Sequence, residues 1–282
     1  MRSVLTALGA AVLIQVGVLV GLPLSHAGAA SPALLYIFAG QSNMVGAGTS
    51  TAELSKVDPT LHASPANVRF WGPTEDTPRQ WGPTEPPTEV QGALSHMGFG
   101  PEISAAPLLS KLHPQATIGL VKVARGSTNL VDAWNPKNPL GMYALLLTEV
   151  RAAKERLAME TNGPVRIAGF FWLQGESDSA RRSVANSYGR NLTNFISTVR
   201  SDLNAPRMPF VIAEIPEFKQ WYPAFPYCSV VQSAERSIAK QVSRTFYVPT
   251  ADLERDPSSP VHFSTRGTVY IGRRLVNARF GL

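Results

Sequence analysis

Short apolar runs of strand length alternate along this chain with longer amphipathic stretches, and that rhythm restricts the fold more than any other feature. The runs are Leu34 to Ala39, Ala116 to Val123, Val165 to Leu173, Pro209 to Ile215 and Thr245 to Val248. They are rich in β-branched and aromatic residues and are closed by turn formers, as buried strands are. Between and after them lie Glu102 to Leu112, Tyr143 to Met159, Val184 to Leu203, Val230 to Val242 and Thr268 to Phe280. In the second of these, Leu145, Leu146, Val150, Ala153 and Leu157 recur near helical spacing, opposite Arg151, Lys154 and Glu155. Strands that alternate with helices form βαβ units, so the expectation is an α/β protein with a mainly parallel sheet covered by helices on both faces. Active sites of such sheets lie at the carboxyl ends of the strands.

The 282 residues suit one domain with a substantial core. Met1-Arg2, the apolar run Val4 to Leu24 and the small residues Ala27 to Ala30 read as a secretory signal over residues 1–30, with an uncleaved anchor as the alternative. Residues 31–282 are then expected to form one domain that is secreted or otherwise outside the cytoplasm, with no stable membrane span once the signal is removed. Residues 49–97 break the rhythm. They are rich in Pro and Gly and carry the near-repeat Trp71-Gly72-Pro73-Thr74-Glu75 and Trp81-Gly82-Pro83-Thr84-Glu85, which predicts a loop-rich insertion at the rim of the site. The formal charge of +6 is spread over scattered Lys and Arg, so a nucleic-acid partner is not expected. The lone Cys228 offers neither an internal disulfide nor a metal cluster.

Four segments can carry chemistry. Gly40-Gln41-Ser42-Asn43-Met44 ends the first strand, where a serine can expose its hydroxyl beside its own N–H; the alternative is a plain helix cap. Val261-His262-Phe263-Ser264-Thr265 precedes the last helix, in a loop that can return to the same crevice, and an imidazole titrating near 6.5 suits a general base. Trp172-Leu173-Gln174-Gly175-Glu176-Ser177-Asp178 supplies an amide for an oxyanion at Gln174, while Glu176 and Asp178 suit buried structural hydrogen bonds. Gly98-Phe99-Gly100-Pro101-Glu102 opens a helix with proline and offers an unobstructed N–H at Gly100.

Taken in order from about Tyr36 to Leu275, GQSNM, GPE, WLQGESD and HFS resemble the SGNH-hydrolase superfamily, and more narrowly carbohydrate esterase family six and the sialate O-acetylesterase-like proteins. The resemblance implies a flavodoxin-like three-layer α/β/α sandwich that removes acetyl groups from a carbohydrate without metal or other cofactor. It implies Ser42 as nucleophile, His262 as base, and the Ser42 N–H, Gly100 N–H and Gln174 amide as oxyanion donors. Lys122 to Thr128 looks like the segment that precedes a tryptophan near the pocket, which assigns Arg125 and Trp134 to substrate binding. Trp71 and Trp81 are further candidates for stacking on sugar rings.

One position departs from the pattern. The family places an aspartate three residues before the histidine, and this chain has Ser259 there. If the loop bends at Pro257 and Pro260, Asp256 can reach the far nitrogen of His262; otherwise Asp252, Glu254 or a backbone carbonyl orients the ring, or the site runs as a Ser-His dyad. The rival readings are a broad lipase-like or thioesterase enzyme and a catalytically weak carbohydrate-binding protein.

Overall fold

The computed structural model describes residues 33–72, 80–88, 98–217 and 224–282. The proposed signal therefore lies outside the described residues. A seven-stranded sheet contains β1 (Ala33–Gly40), β2 (Val68–Trp71), β3 (Trp81–Gly82), β4 (Ile118–Ala124), β5 (Val165–Leu173), β6 (Phe210–Ala213) and β7 (Thr245–Val248), in the order β3-β2-β4-β1-β5-β6-β7. All neighbours are parallel except the β2–β3 pair. All eight residues of β1 are buried, which fits a central strand covered on both faces.

Side chains of alternate parity from β1 build the two halves of the core. Leu35 and Ile37 pack with Leu146, Val150 and Leu157 of α4 (Met142–Thr161), Leu192 and Phe195 of α5 (Arg182–Asp202), and Val231 of α6 (Cys228–Gln241). Leu34, Tyr36 and Phe38 face the other way, onto Ala105 and Leu109 of α3 (Glu102–Leu112) and Ile271 and Leu275 of α7 (Thr265–Phe280). The three layers follow from this period of two along a strand whose faces are both apolar. Residues predicted to form the core stripe of α4 are the ones that turn inward, with Leu145 packed at its edge.

The insertion is more structured than its composition suggests. It holds helix α2 (Thr51–Val57), a 3-10 turn at Pro59–His62, and β2, which extends the main sheet beside β4. Val68, Phe70 and Trp71 are buried there, so these four residues act as a strand because a sheet edge is available to them. Residues 73–79 and 89–97 of that region lie outside the described ones. A second small sheet, β8 (Arg255–Asp256) against β9 (Ser259–Phe263), carries His262 into α7. Among the described residues no helix is long and apolar enough to cross a membrane.

Candidate active site

The carboxyl ends of β1, β4 and β5 converge on a single turn of helix, α1 (Ser42–Val45). Two glycines permit this. A Cβ at Gly40 would stand 2.0 Å from the Leu173 carbonyl oxygen, so only glycine lets β1 pass the end of β5. Gly46 closes α1 in the left-handed region at φ 98°, where any side chain would meet the Phe99 carbonyl at 1.8 Å. Ser42 occupies the first position of α1 and is half-buried. Its N–H belongs to the first helical turn, which has no intrahelical acceptor, and among the described residues it meets none elsewhere.

The neighbour of Ser42 links three segments. Asn43 donates from Nδ2 to Glu176 Oε1 (2.5 Å) and to the Val261 carbonyl (3.1 Å), and its Oδ1 accepts the Phe263 N–H (2.9 Å). The side chain next to Ser42 thereby grips the backbone on both sides of His262, across 218 and 220 positions of sequence. Gln41 turns the other way and accepts at Oε1 from Gln174 Nε2 (3.2 Å), Ser177 N (3.3 Å) and Gly175 N (3.4 Å). Burial pushes the Glu176 carboxyl up to about 7 and the Asp178 carboxyl up to about 6. Asp178 accepts the Leu130 N–H at 3.0 and 3.1 Å and the Gln174 amide at 2.6 Å. Both acids are therefore buried, hydrogen-bonded parts of the frame.

His262 is half-buried on β9, with its Nδ1 2.9 Å from Ser259 Oγ. Burial holds the imidazole below its usual 6.5, and the negative charge of Asp256 works against that. The loop does bend back at its prolines, forming the β8–β9 hairpin, but Asp256 Oδ1 accepts from Ser258 N (2.9 Å) and Ser258 Oγ (2.7 Å). Its influence on the ring is electrostatic, and Ser259 makes the hydrogen bond. Asp252 is held in a two-pronged pair by Arg274 at 2.8 and 2.6 Å, and Glu254 faces Arg266 at 3.4 Å.

Several of the expected site groups are engaged by neighbours within the protein. The Gly100 N–H donates to Glu102 Oε1 (2.9 Å), so it is engaged inside the protein. That carboxylate also takes Lys122 Nζ at 2.6 Å and the Thr88 hydroxyl, a fully buried cluster beneath α1 in which Lys122 also lies 3.5 Å from the Val45 carbonyl. Gln174 Nε2 has Asp178, the Thr128 carbonyl (3.0 Å) and Gln41 as acceptors, which leaves its two protons no free direction. Trp134 is wholly buried, edge-on to Trp172, and its Nε1 donates to Thr128 Oγ1 (3.0 Å); it props the loop after β4 from below and offers no face to a sugar. Trp71 is likewise buried, bonded to Glu149 at 2.9 Å, and Trp81 lies against it, 5.1 Å between ring centroids. Arg125 remains exposed, with its backbone N–H on the Gly40 carbonyl (3.2 Å).

The residue that sequence reasoning passed over is Gly126. A methyl group there would stand 3.6 Å from the Ser42 Cβ, so the backbone after β4 lies against the serine. Its signal was available: a glycine just past the apolar run that pairs with β1. A comparison with family models matches residues 32–280 to carbohydrate esterases of the sialic acid-specific acetylesterase type. The chain belongs to this family. Its members are carboxylic ester hydrolases. A probable carbohydrate esterase of Arabidopsis thaliana is 27% identical over 163 residues, spanning 58% of this chain and 55% of the relative. The crystal structure of that plant protein superimposes with a TM-score of 0.72 at 24% identity, covering 89% of this chain and 98% of the other. NanS gives 0.66 at 17% identity (90% and 98% covered), and a carbohydrate acetylesterase from Xanthomonas citri gives 0.62 at 17% (88% and 57%). These likenesses show the fold, an α/β sandwich around a mainly parallel sheet.

Proposed function

We propose that the chain removes acetyl groups from a carbohydrate, with Ser42 as nucleophile and His262 as general base. The observation that carries this reading is the Asn43 side chain, which ties the residue after Ser42 to the residues on both sides of His262. A proton leaves Ser42 Oγ for His262 Nε2 as Oγ bonds to the ester carbonyl carbon. The protonated ring then gives that proton to the departing sugar oxygen as the C–O bond breaks. Water, activated by the same imidazole, clears the acetyl-enzyme. The oxyanion faces the open Ser42 N–H, and the Gly126 N–H, on the backbone that runs beside the serine, is the second donor. Gln174 and Glu102 act one layer further back, holding the loops that present these groups. Arg125 stands exposed beside Gly126, where a guanidinium can bind polar sugar substituents.

Acetate release by the purified protein from acetylated xylan oligomers and from an O-acetylated sialic acid, against Ser42→Ala, tests the proposal. The parent should release acetate and the variant should fall by about 10³-fold or more. A preference for long-chain aryl esters would favour the lipase-like alternative, and glycan binding without labelling of Ser42 by a fluorophosphonate would favour the binding protein. Export is part of the reading and rests on the basic start and apolar run of residues 1–30. Amino-terminal sequencing of protein recovered outside the producing cell checks it.

A further inference from the structure

We propose that Ser259 is the direct partner of His262, a hydroxyl doing at Nδ1 what a carboxylate does in a Ser-His-Asp triad. The inference rests on the reading of His262 as the base. Ser259 and His262 lie three residues apart on β9, with Oγ and Nδ1 at 2.9 Å. A serine hydroxyl can donate to Nδ1 or accept from it; in the proposed pairing it accepts, so that the ring proton sits on Nδ1 and the lone pair is left on Nε2, the side needed for Ser42. Asp256 is the cross-strand neighbour of Ser259, and its Oδ1 is taken up by the turn at Ser258.

The exchange of carboxylate for hydroxyl separates two jobs that one aspartate performs together. Ser259 fixes the tautomer and the ring plane, yet it brings no charge when the ring becomes imidazolium. That charge is balanced only through space by Asp256, across the hairpin. The other charged groups around the ring are committed elsewhere. Arg255, beside Asp256, lies over the Phe263 ring at 4.8 Å and donates to the Pro260 carbonyl, Arg266 of α7 faces Glu254, and Glu176 reaches the strand only through Asn43. Ser259 is therefore a positioning residue in a site that forgoes part of the usual stabilisation of its protonated base.

Nitrogen NMR of histidine-labelled protein, with the His262 ring assigned by its loss in His262→Gln, reads the tautomer directly. The parent and Asp256→Asn should both show the Nδ1–H form, and Ser259→Ala should lose that preference and lower kcat about 10-fold with KM nearly unchanged, the kinetic equivalent of one neutral hydrogen bond. Ser259→Asp should raise the ring pKa by about 1 or more and restore or exceed parental kcat. An Nε2–H tautomer in the parent, or a preference lost in Asp256→Asn and kept in Ser259→Ala, would overturn the assignment. Equal acetate release by the parent and Ser42→Ala would instead defeat the esterase reading, with the tautomer still deciding the role of Ser259.

Discussion

Replacing Asn43 by alanine removes the bridge between the serine turn and the histidine strand, and the cost can be worked out from its three bonds. Glu176 Oε1 and the Phe263 N–H are both buried and would lose their side-chain partner, whereas Val261 is only half-buried. Glu176 Oε2 already lacks a partner, so the carboxyl would lose its one side-chain hydrogen bond and keep only the nearby Gly175 and Glu176 N–H groups. A buried polar group deprived of its partner costs about 1–3 kcal/mol, which gives about 2–6 kcal/mol for the two. For a domain of this size each kcal/mol lowers Tm by about 2–4 °C, so a fall of roughly 5–20 °C is expected. The loss should be smaller below pH 7, where the Glu176 carboxyl takes a proton and sheds its charge. Catalysis should suffer separately, because an imidazole displaced by about 1 Å costs on the order of 10² in rate. Urea denaturation at pH 5.5 and 8 and acetate release well below the new Tm measure the two effects independently. A variant within 1 kcal/mol of the parent at pH 8, and within threefold in kcat, would refute the claim that this side chain holds the two loops together.

Glu176→Gln should make stability depend less on pH. A carboxyl whose folded pKa is raised from 4.5 to about 7 binds its proton more tightly in the native state, so stability falls as pH rises between those values; the variant should show a shallower fall in urea midpoint, with the remainder due to groups such as Asp178. Because burial depresses the His262 pKa, kcat/KM for acetate release should rise with pH through a midpoint below 6.5, and a midpoint above 7 would show that the Asp256 charge outweighs burial at the ring. Lys122→Met should destabilise the protein by about 3–5 kcal/mol in urea, because it strands the Glu102 carboxylate in a dry site under α1. Adding Glu102→Gln should recover part of that loss.

How much of this could be seen beforehand depends on the range of the interaction. Alternation of apolar runs and amphipathic stretches is a local property, so the sequence by itself determined the strands at Val165–Leu173 and Thr245–Val248, the helix at Glu102–Leu112, the layered α/β architecture and the segments that hold Ser42 and His262. The four residues of β2 read as loop because a short strand in a Pro- and Gly-rich stretch is stabilised by the sheet edge it joins. Only the tertiary structure decided what each polar group does. Gln174 and the Gly100 N–H look like free donors in the sequence, yet packing sets Asp178 and Glu102 against them; Trp134 looks like a rim aromatic and fills the core; Ser259 looks like a lost acid and faces the imidazole. A hydrogen-bonding group commits to whichever partner folding brings within about 3.5 Å. For Asn43 and Gln41 those partners lie 133 to 220 positions away, beyond anything a local pattern encodes.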